Sequence, residues 1–131
     1  MNNVLLDTDV LIEFLRGNDA VKDLLVSMVE ENTLCCSAVT VAEIYAGMRE
    51  EEKEQTDDLL NGLDIVEVDR AVAEKAGHYR NKIRRQQLEL DDCIIAACAF
   101  SIHAALVTGN GKHYPMIDIE KRIVRLTRTS V

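Results

Sequence analysis

Residues 4–12 read Val4-Leu5-Leu6-Asp7-Thr8-Asp9-Val10-Leu11-Ile12. A short apolar run that stops at a carboxylate is the pattern of a strand buried on both faces with a polar end. The apolar residues that follow, Val10-Leu11-Ile12 and Phe14-Leu15, begin a helix that Gly17 stops. The unit is therefore strand, acid, helix, and the rest of the chain repeats its rhythm.

Val21, Leu24, Leu25, Met28 and Val29 make one apolar face of a second helix at i, i+3, i+4, i+7 and i+8. Leu34-Cys35-Cys36 is a short strand, and a third helix is expected from about Val39, with Val41, Ile44, Tyr45 and Met48 on one stripe and Ala42, Ala46 and Gly47 on a small-residue face. Residues 49–58 are a solvated charge run of helical character, and Asn61-Gly62 is a turn signal. Ile65-Val66-Glu67-Val68 is the next strand. Val72, Ala76, Tyr79 and Ile83 share a face of a long helix whose other faces carry Lys75, Arg80, Lys82, Arg84 and Arg85. Asp91 and Asp92 open a helix from Cys93 to Ile102 that is apolar nearly all round and so belongs in the middle of the fold. Ala104 to Val107, and Ile123-Val124 with Leu126, complete the strands. The expected architecture is a three-layer α/β/α domain with a mainly parallel central sheet, in which functional groups collect beyond the carboxyl ends of the strands.

A chain of 131 residues closes one core and has no room for a second domain of ordinary size, so residues 1–131 are read as a single domain. No apolar run approaches the roughly 18 residues of a membrane span, and the first residues lack the basic start and apolar stretch of a signal peptide. The expected compartment is the cytoplasm. Cys35, Cys36, Cys93 and Cys98 lack the spacing of a zinc site and are read as buried, reduced thiols. The net charge of -8 hides an asymmetry: residues 1–69 carry 17 acids and 4 bases, residues 70–131 carry 6 acids and 11 bases. Such a protein is a poor general binder of nucleic acid, yet its basic half can present a local phosphate-contacting face.

Three acids stand alone in uncharged sequence. Asp7 ends the first strand, Glu43 is the only charge between Thr33 and Met48, and Asp92 precedes the formally uncharged stretch Cys93 to Gly111. A carboxylate in apolar surroundings takes up a proton, accepts backbone hydrogen bonds or holds a cation. Three converging carboxylates favour Mg²⁺ or Mn²⁺, and with it metal-assisted phosphodiester hydrolysis. Each acid also has a plainer reading: Thr40-x-x-Glu43 has the form of a capping box, Asp91 or Asp92 could be an N-cap, and Thr8 or Asp9 could cap the first helix. Thr108 and Asn110 follow the strand ending at Val107 and fall at the same sheet edge as Asp7. His113 could be a ligand or general base, but beside Tyr114-Pro115 it has the setting of a surface-loop histidine. His78 and His103 are read as structural.

Four segments, Leu5 to Ile12, Ser37 to Gly47, Leu90 to Ala97, and Val107-Thr108-Gly109-Asn110 through Tyr114, together resemble the PIN-domain ribonucleases, and most closely the VapC-type toxins of toxin–antitoxin pairs. Each motif alone is weak; the ordered set of four, spanning nearly the whole chain, is specific. The resemblance implies that Asp7, Glu43 and Asp92 form an acidic Mg²⁺ site (Mn²⁺ being an alternative), with Asp92 chosen over Asp91 because it lies four residues before Ala96-Ala97. It implies supporting roles for Thr8, Asp9 and Asp91, and for Thr108 and Asn110 in orienting Asp7 or a metal-bound water. It further implies a metal-dependent endoribonuclease acting on RNA, a homodimer, and a VapB-like antitoxin in a hetero-oligomer. Arg80, Lys82, Arg84 and Arg85 become candidates for gripping the RNA backbone. His113 departs from the pattern, since many relatives have a fourth Asp there, and one metal is the expectation.

Two rivals differ in class. Asp7-Thr8-Asp9-Val10-Leu11 also resembles the opening motif of haloacid dehalogenase-type phosphatases, with Asp7 as nucleophile, but the late Lys and Gly-Asp loop of that family have no counterpart in a fitting position. A PIN-like module that binds RNA or a partner without turnover is the other.

Overall fold

The computed structural model describes residues 2–84 and 86–126. Its elements run β1 (Asn2–Leu6), α1 (Thr8–Leu15), α2 (Asp19–Val29), β2 (Asn32–Ser37), α3 (Ala38–Gly47), α4 (Lys53–Asn61), β3 (Asp64–Val66), α5 (Arg70–Lys82), α6 (Leu90–Ser101), β4 (Ala105–Thr108) and β5 (Lys121–Ile123), with single 3₁₀ turns at Glu50–Glu52 and Gly111–His113. The strands form one sheet in the order β3-β2-β1-β4-β5. Every pairing is parallel, with Val4 beside Leu34 and Ala105 and Leu6 beside Val107.

Alternation along the strands divides the core into two layers. Leu5, Cys35 and Leu106 face α5 and α6, where they pack with Val72, Ala76, Tyr79, Cys93, Ile95 and Tyr114. Val4, Leu6, Cys36, Ala105 and Val107 face the other way, onto Val10, Leu11, Val21, Leu25, Ile44 and Leu60 of α1 to α4. This is why the strand sequences are continuous apolar runs: both faces are covered. All four cysteines are free and buried. As expected from its composition, α6 has no polar face through its middle, and Cys93 and Ile95 to Ala99 are all buried.

Several boundaries move. The first helix is capped by Asp7, whose side chain accepts from the Thr8 N–H, not by Thr8 or Asp9. The third is capped by Ser37 through Val39 N–H; Thr40 therefore lies inside the helix, and the Thr40–Glu43 capping box does not form. Glu89 holds the N-cap position of α6, which places Asp91 and Asp92 in its first turn. The last strand ends at Ile123 instead of continuing through Leu126. Gly17 closes α1 at φ 81, a left-handed conformation that glycine adopts without strain, whereas His103 adopts φ 53 with a full side chain.

The strand order reverses direction at β1: the chain leaves it towards β2 and β3 and later returns on its other side as β4 and β5. The carboxyl ends of β1 and β4 consequently flank the crevice at which such sheets place ligands.

Candidate active site

Asp7 and Thr108 occupy those two strand ends. The Asp7 N–H donates to the carbonyl of Val107 at 2.9 Å, which continues the β1–β4 ladder into the site. Both Asp7 oxygens are engaged: Oδ1 accepts from the Thr8 N–H at 2.8 Å, and Oδ2 accepts from the Thr108 hydroxyl at 2.8 Å. Asp7 is buried, and Thr108 has no exposed surface. The Thr108 oxygen also accepts from the Asn110 N–H at 3.0 Å, so its own proton is left for Asp7.

Thr8, the next residue, reaches across to α3. Its hydroxyl donates to Glu43 Oε1 at 2.7 Å and lies 2.9 Å from that of the fully buried Thr40. Burial holds the Glu43 carboxyl above its usual range; a hydrogen bond shared with Asp91 and the charges of Asp91 and Asp7 push the same way, while the Thr8 bond opposes them.

Asp92 is held from the other side. The Tyr114 hydroxyl donates to its Oδ1 at 3.3 Å, and His113 Nδ1 lies 3.2 Å from its Oδ2. The second ring nitrogen of His113 meets the Asn110 side-chain amide at 3.0 Å. Burial raises the Asp92 carboxyl, as do the charges of Asp91 and Asp7, with His113 opposing. Asn110 thus acts on Asp92 through the His113 ring, and Thr108 alone reaches Asp7. Tyr114 is completely buried, and burial, with Asp7 and Asp92 around its hydroxyl, keeps the phenol protonated far above its ordinary range.

Asp9 completes the group. Its Oδ2 accepts from the Gly109 N–H at 3.1 Å, while its buried Oδ1 has no hydrogen-bond partner among the described residues. Burial, then the charge of Asp7, raises its carboxyl from 3.8 to about 6.

Five carboxylates therefore gather at one end of the sheet, and three of them, Asp9, Glu43 and Asp92, are pushed upward. The donors are all hard oxygens, and one buried carboxylate oxygen is orphaned. The hard-oxygen donor set and the mutual repulsion fit a small divalent cation, because its charge would offset that repulsion. Among the described residues no three acidic, histidine or cysteine side chains already converge at ligating distance. The chemistry of the donor set fits such an ion.

Sequence reasoning brought Asp7, Thr8, Asp9, Glu43, Asp91, Asp92, Thr108 and Asn110 to this end of the sheet, and the structure gathers all of them there. It read His113 as a surface-loop histidine, whereas the ring, though half exposed, is set against Asp92, and it missed Tyr114, whose hydroxyl is buried among the acids. A hydroxyl on an aromatic in the loop after β4 was the available signal. Arg80, Lys82 and Arg84 are exposed on α5 and just after it, and Arg85 lies outside the described residues.

The PIN domain family model matches residues 4–117. Ribonuclease VapC10 of Mycobacterium tuberculosis (strain CDC 1551 / Oshkosh) is 36% identical over 117 residues, which are 88% of this chain and 88% of that protein. Among solved structures, the crystal structure of VapBC2 from Rickettsia felis bound to a DNA fragment from their promoter superposes with a TM-score of 0.84 over 93% of this chain and 98% of that one; at 21% identity it speaks to fold alone. A toxin–antitoxin complex from Klebsiella pneumoniae matches with a TM-score of 0.74 at 27% identity, over 87% of this chain and 92% of that one.

Proposed function

Because this chain belongs to the PIN-domain family, we propose that it is an endoribonuclease toxin that hydrolyses RNA phosphodiester bonds with the help of Mg²⁺, or Mn²⁺ in its place, and is neutralised by a cognate VapB-like antitoxin. The observation that carries this reading is the gathering of Asp7, Asp9, Glu43, Asp91 and Asp92 where β1 and β4 end. Such a group favours a bound positive charge, which would offset the mutual repulsion of the carboxylates.

Asp7, Glu43 and Asp92 would hold the ion. A bound divalent ion supplies a water of lowered pKa and neutralises charge on the scissile phosphate. The remaining work belongs to the protein. Thr108 fixes Asp7, Thr8 with Thr40 fixes Glu43, and His113 with Tyr114 fixes Asp92, so that three flexible side chains share one geometry before substrate arrives. Arg80, Lys82 and Arg84 carry positive charge on the face where an RNA backbone would lie. Loops of structured RNA are the natural substrate class, since unpaired bases can be splayed out.

The acid excess of residues 1–69 suits a basic inhibitory tail on the antitoxin. A homodimer, its hetero-oligomer with the antitoxin and a cytoplasmic setting belong to the same reading; among the described residues no helix is long and apolar enough to cross a membrane.

The test is cleavage of total cellular RNA by the partner-free protein with Mg²⁺ and with EDTA, beside Glu43→Gln and Asp7→Asn. Asn caps a helix as well as Asp does, so Asp7→Asn removes the charge and keeps α1. Discrete products that need metal and fall by at least about a hundredfold in both variants are expected. A folded parent that cuts no RNA would hand the role to binding without turnover.

A further inference from the structure

The observation lies beside the acidic site, on the basic half of the chain. Among the described residues, Arg80 and Asn81 of α5, Arg84, Gln86 and Gln87 after it, and Leu90 at the start of α6 line an open groove of about 620 Å³. That volume is within the roughly 300–1,000 Å³ typical of small-ligand sites. Neither Arg80 nor Arg84 forms a salt bridge among the described residues. In a protein with 23 acids and 15 bases, two unneutralised guanidinium groups on one groove mark a place for an anion.

The amides are what make the groove more than a phosphate grip. The Arg84 guanidinium donates to Asn81 Oδ1 at 3.2 Å, which leaves the Asn81 NH₂ to donate elsewhere. The Gln86 NH₂ donates to the carbonyl of Lys112 at 2.9 Å, which leaves its Oε1 to accept. Gln87 makes no hydrogen bond among the described residues. One amide is thus committed as donor, one as acceptor, and one is open to both. Leu90, 55% exposed, offers an apolar shelf. A shelf for a planar face, with amide donors and acceptors at its edge, is the chemistry that recognises a nucleobase.

The groove is also tied to the acids. Leu90 opens the helix that carries Asp92 two residues on, and the Gln86 to Lys112 bond anchors the groove to the residue before His113, which touches Asp92.

We propose that this groove binds one unpaired nucleobase of the RNA next to the scissile phosphate, with Asn81, Gln86 and Gln87 reading its edge and Arg80 and Arg84 holding the adjoining phosphate. The inference rests on the ribonuclease reading above and gives it a sequence preference.

The experiment uses the full chain, partner-free, with Mg²⁺, on a single-stranded RNA pool randomised around a cut site, and maps the ends by sequencing. The parent is expected to prefer one base at a position flanking the cut. Asn81→Ala combined with Gln87→Ala, both exposed positions, is expected to reduce that preference at least about fivefold, and Arg80→Ala, which leaves the Arg84 to Asn81 bond in place, to slow all sequences alike. A parent without any flanking preference, or a double variant that keeps it, overturns the proposal. Should the parent cut nothing, cross-linking of 4-thiouridine RNA separates the two failures: adducts within residues 80–90 keep the groove and discard the cleavage, and adducts elsewhere discard the groove.

Discussion

Thr108 and Asp7, 101 residues apart in sequence, are joined by a 2.8 Å hydrogen bond between the Thr108 hydroxyl and Asp7 Oδ2. That bond ties the end of β4 to the end of β1 and commits one oxygen of the carboxylate, so the direction in which Asp7 presents its negative charge is set by a residue on another strand.

Replacing Thr108 by Val keeps the shape and deletes the donor, leaving a buried carboxylate oxygen unpaired. Mg²⁺ affinity, read by calorimetric titration, is expected to fall roughly ten- to a hundredfold, with Thr108→Ser restoring most of it. Parent-like titration of the Val variant would show that Asp7 needs no such anchor.

Tyr114→Phe isolates a second anchor. The ring fills the same buried space, so thermal stability should change by no more than about 1 kcal/mol, while Asp92 loses the hydroxyl 3.3 Å from its Oδ1. The expected result is a weakened metal response and a lower turnover in an intact fold. An unchanged response would make Tyr114 a packing residue.

The acids also set a pH dependence of stability. Asp9 titrates near 6 in the folded protein against 3.8 unperturbed, and Glu43 and Asp92 are raised too. A carboxyl raised on folding binds more protons in the native state, so its contribution is present below about pH 4 and is lost as pH rises through about 6. Metal-free protein should therefore lose on the order of 1–2 kcal/mol from this source between pH 4 and pH 7. Asp9→Asn keeps an acceptor for Gly109 N–H and should flatten the melting-temperature profile, as should Mg²⁺ at pH 7. A variant profile parallel to that of the parent would contradict the assignment.

Far from the acids, His103 holds a left-handed backbone at φ 53 just after α6. His103→Gly should relieve that conformation and raise stability by up to about 1 kcal/mol in chemical denaturation; a loss would mean that the imidazole contributes more than the backbone strain costs.

The elements that could be read in advance were those whose burial is complete. Val4-Leu5-Leu6 and the all-apolar α6 carry their environment in their composition. Edges were harder: β5 pairs on one side only, and its Lys121-Arg122-Ile123 has no buried face to announce it, so the expectation drifted to the more apolar Val124 and Leu126. Asp7, Glu43 and Asp92 stood out because isolated charge in apolar sequence requires compensation. The roles of His113 and Tyr114 were hidden because they depend on a loop after β4 folding back onto the first turn of α6. Thr40 misled because Ser37 starts α3 three residues earlier, a contest between two capping residues that local spacing does not decide.

The distribution of the four thiols has a practical side. Cys36 faces the α1 to α4 layer, whereas Cys35 faces α5 and α6, and Cys93 and Cys98 lie on α6 in that second layer. Burial pushes the Cys36 thiol up to about 12 and raises the other three, so the closed protein holds almost no reactive thiolate. Alkylation therefore proceeds through opening of the layer that covers each sulfur. Each half of the molecule thus carries a built-in label, and comparing the modification rate of Cys36 with that of Cys93 measures whether the two halves come apart together or one at a time.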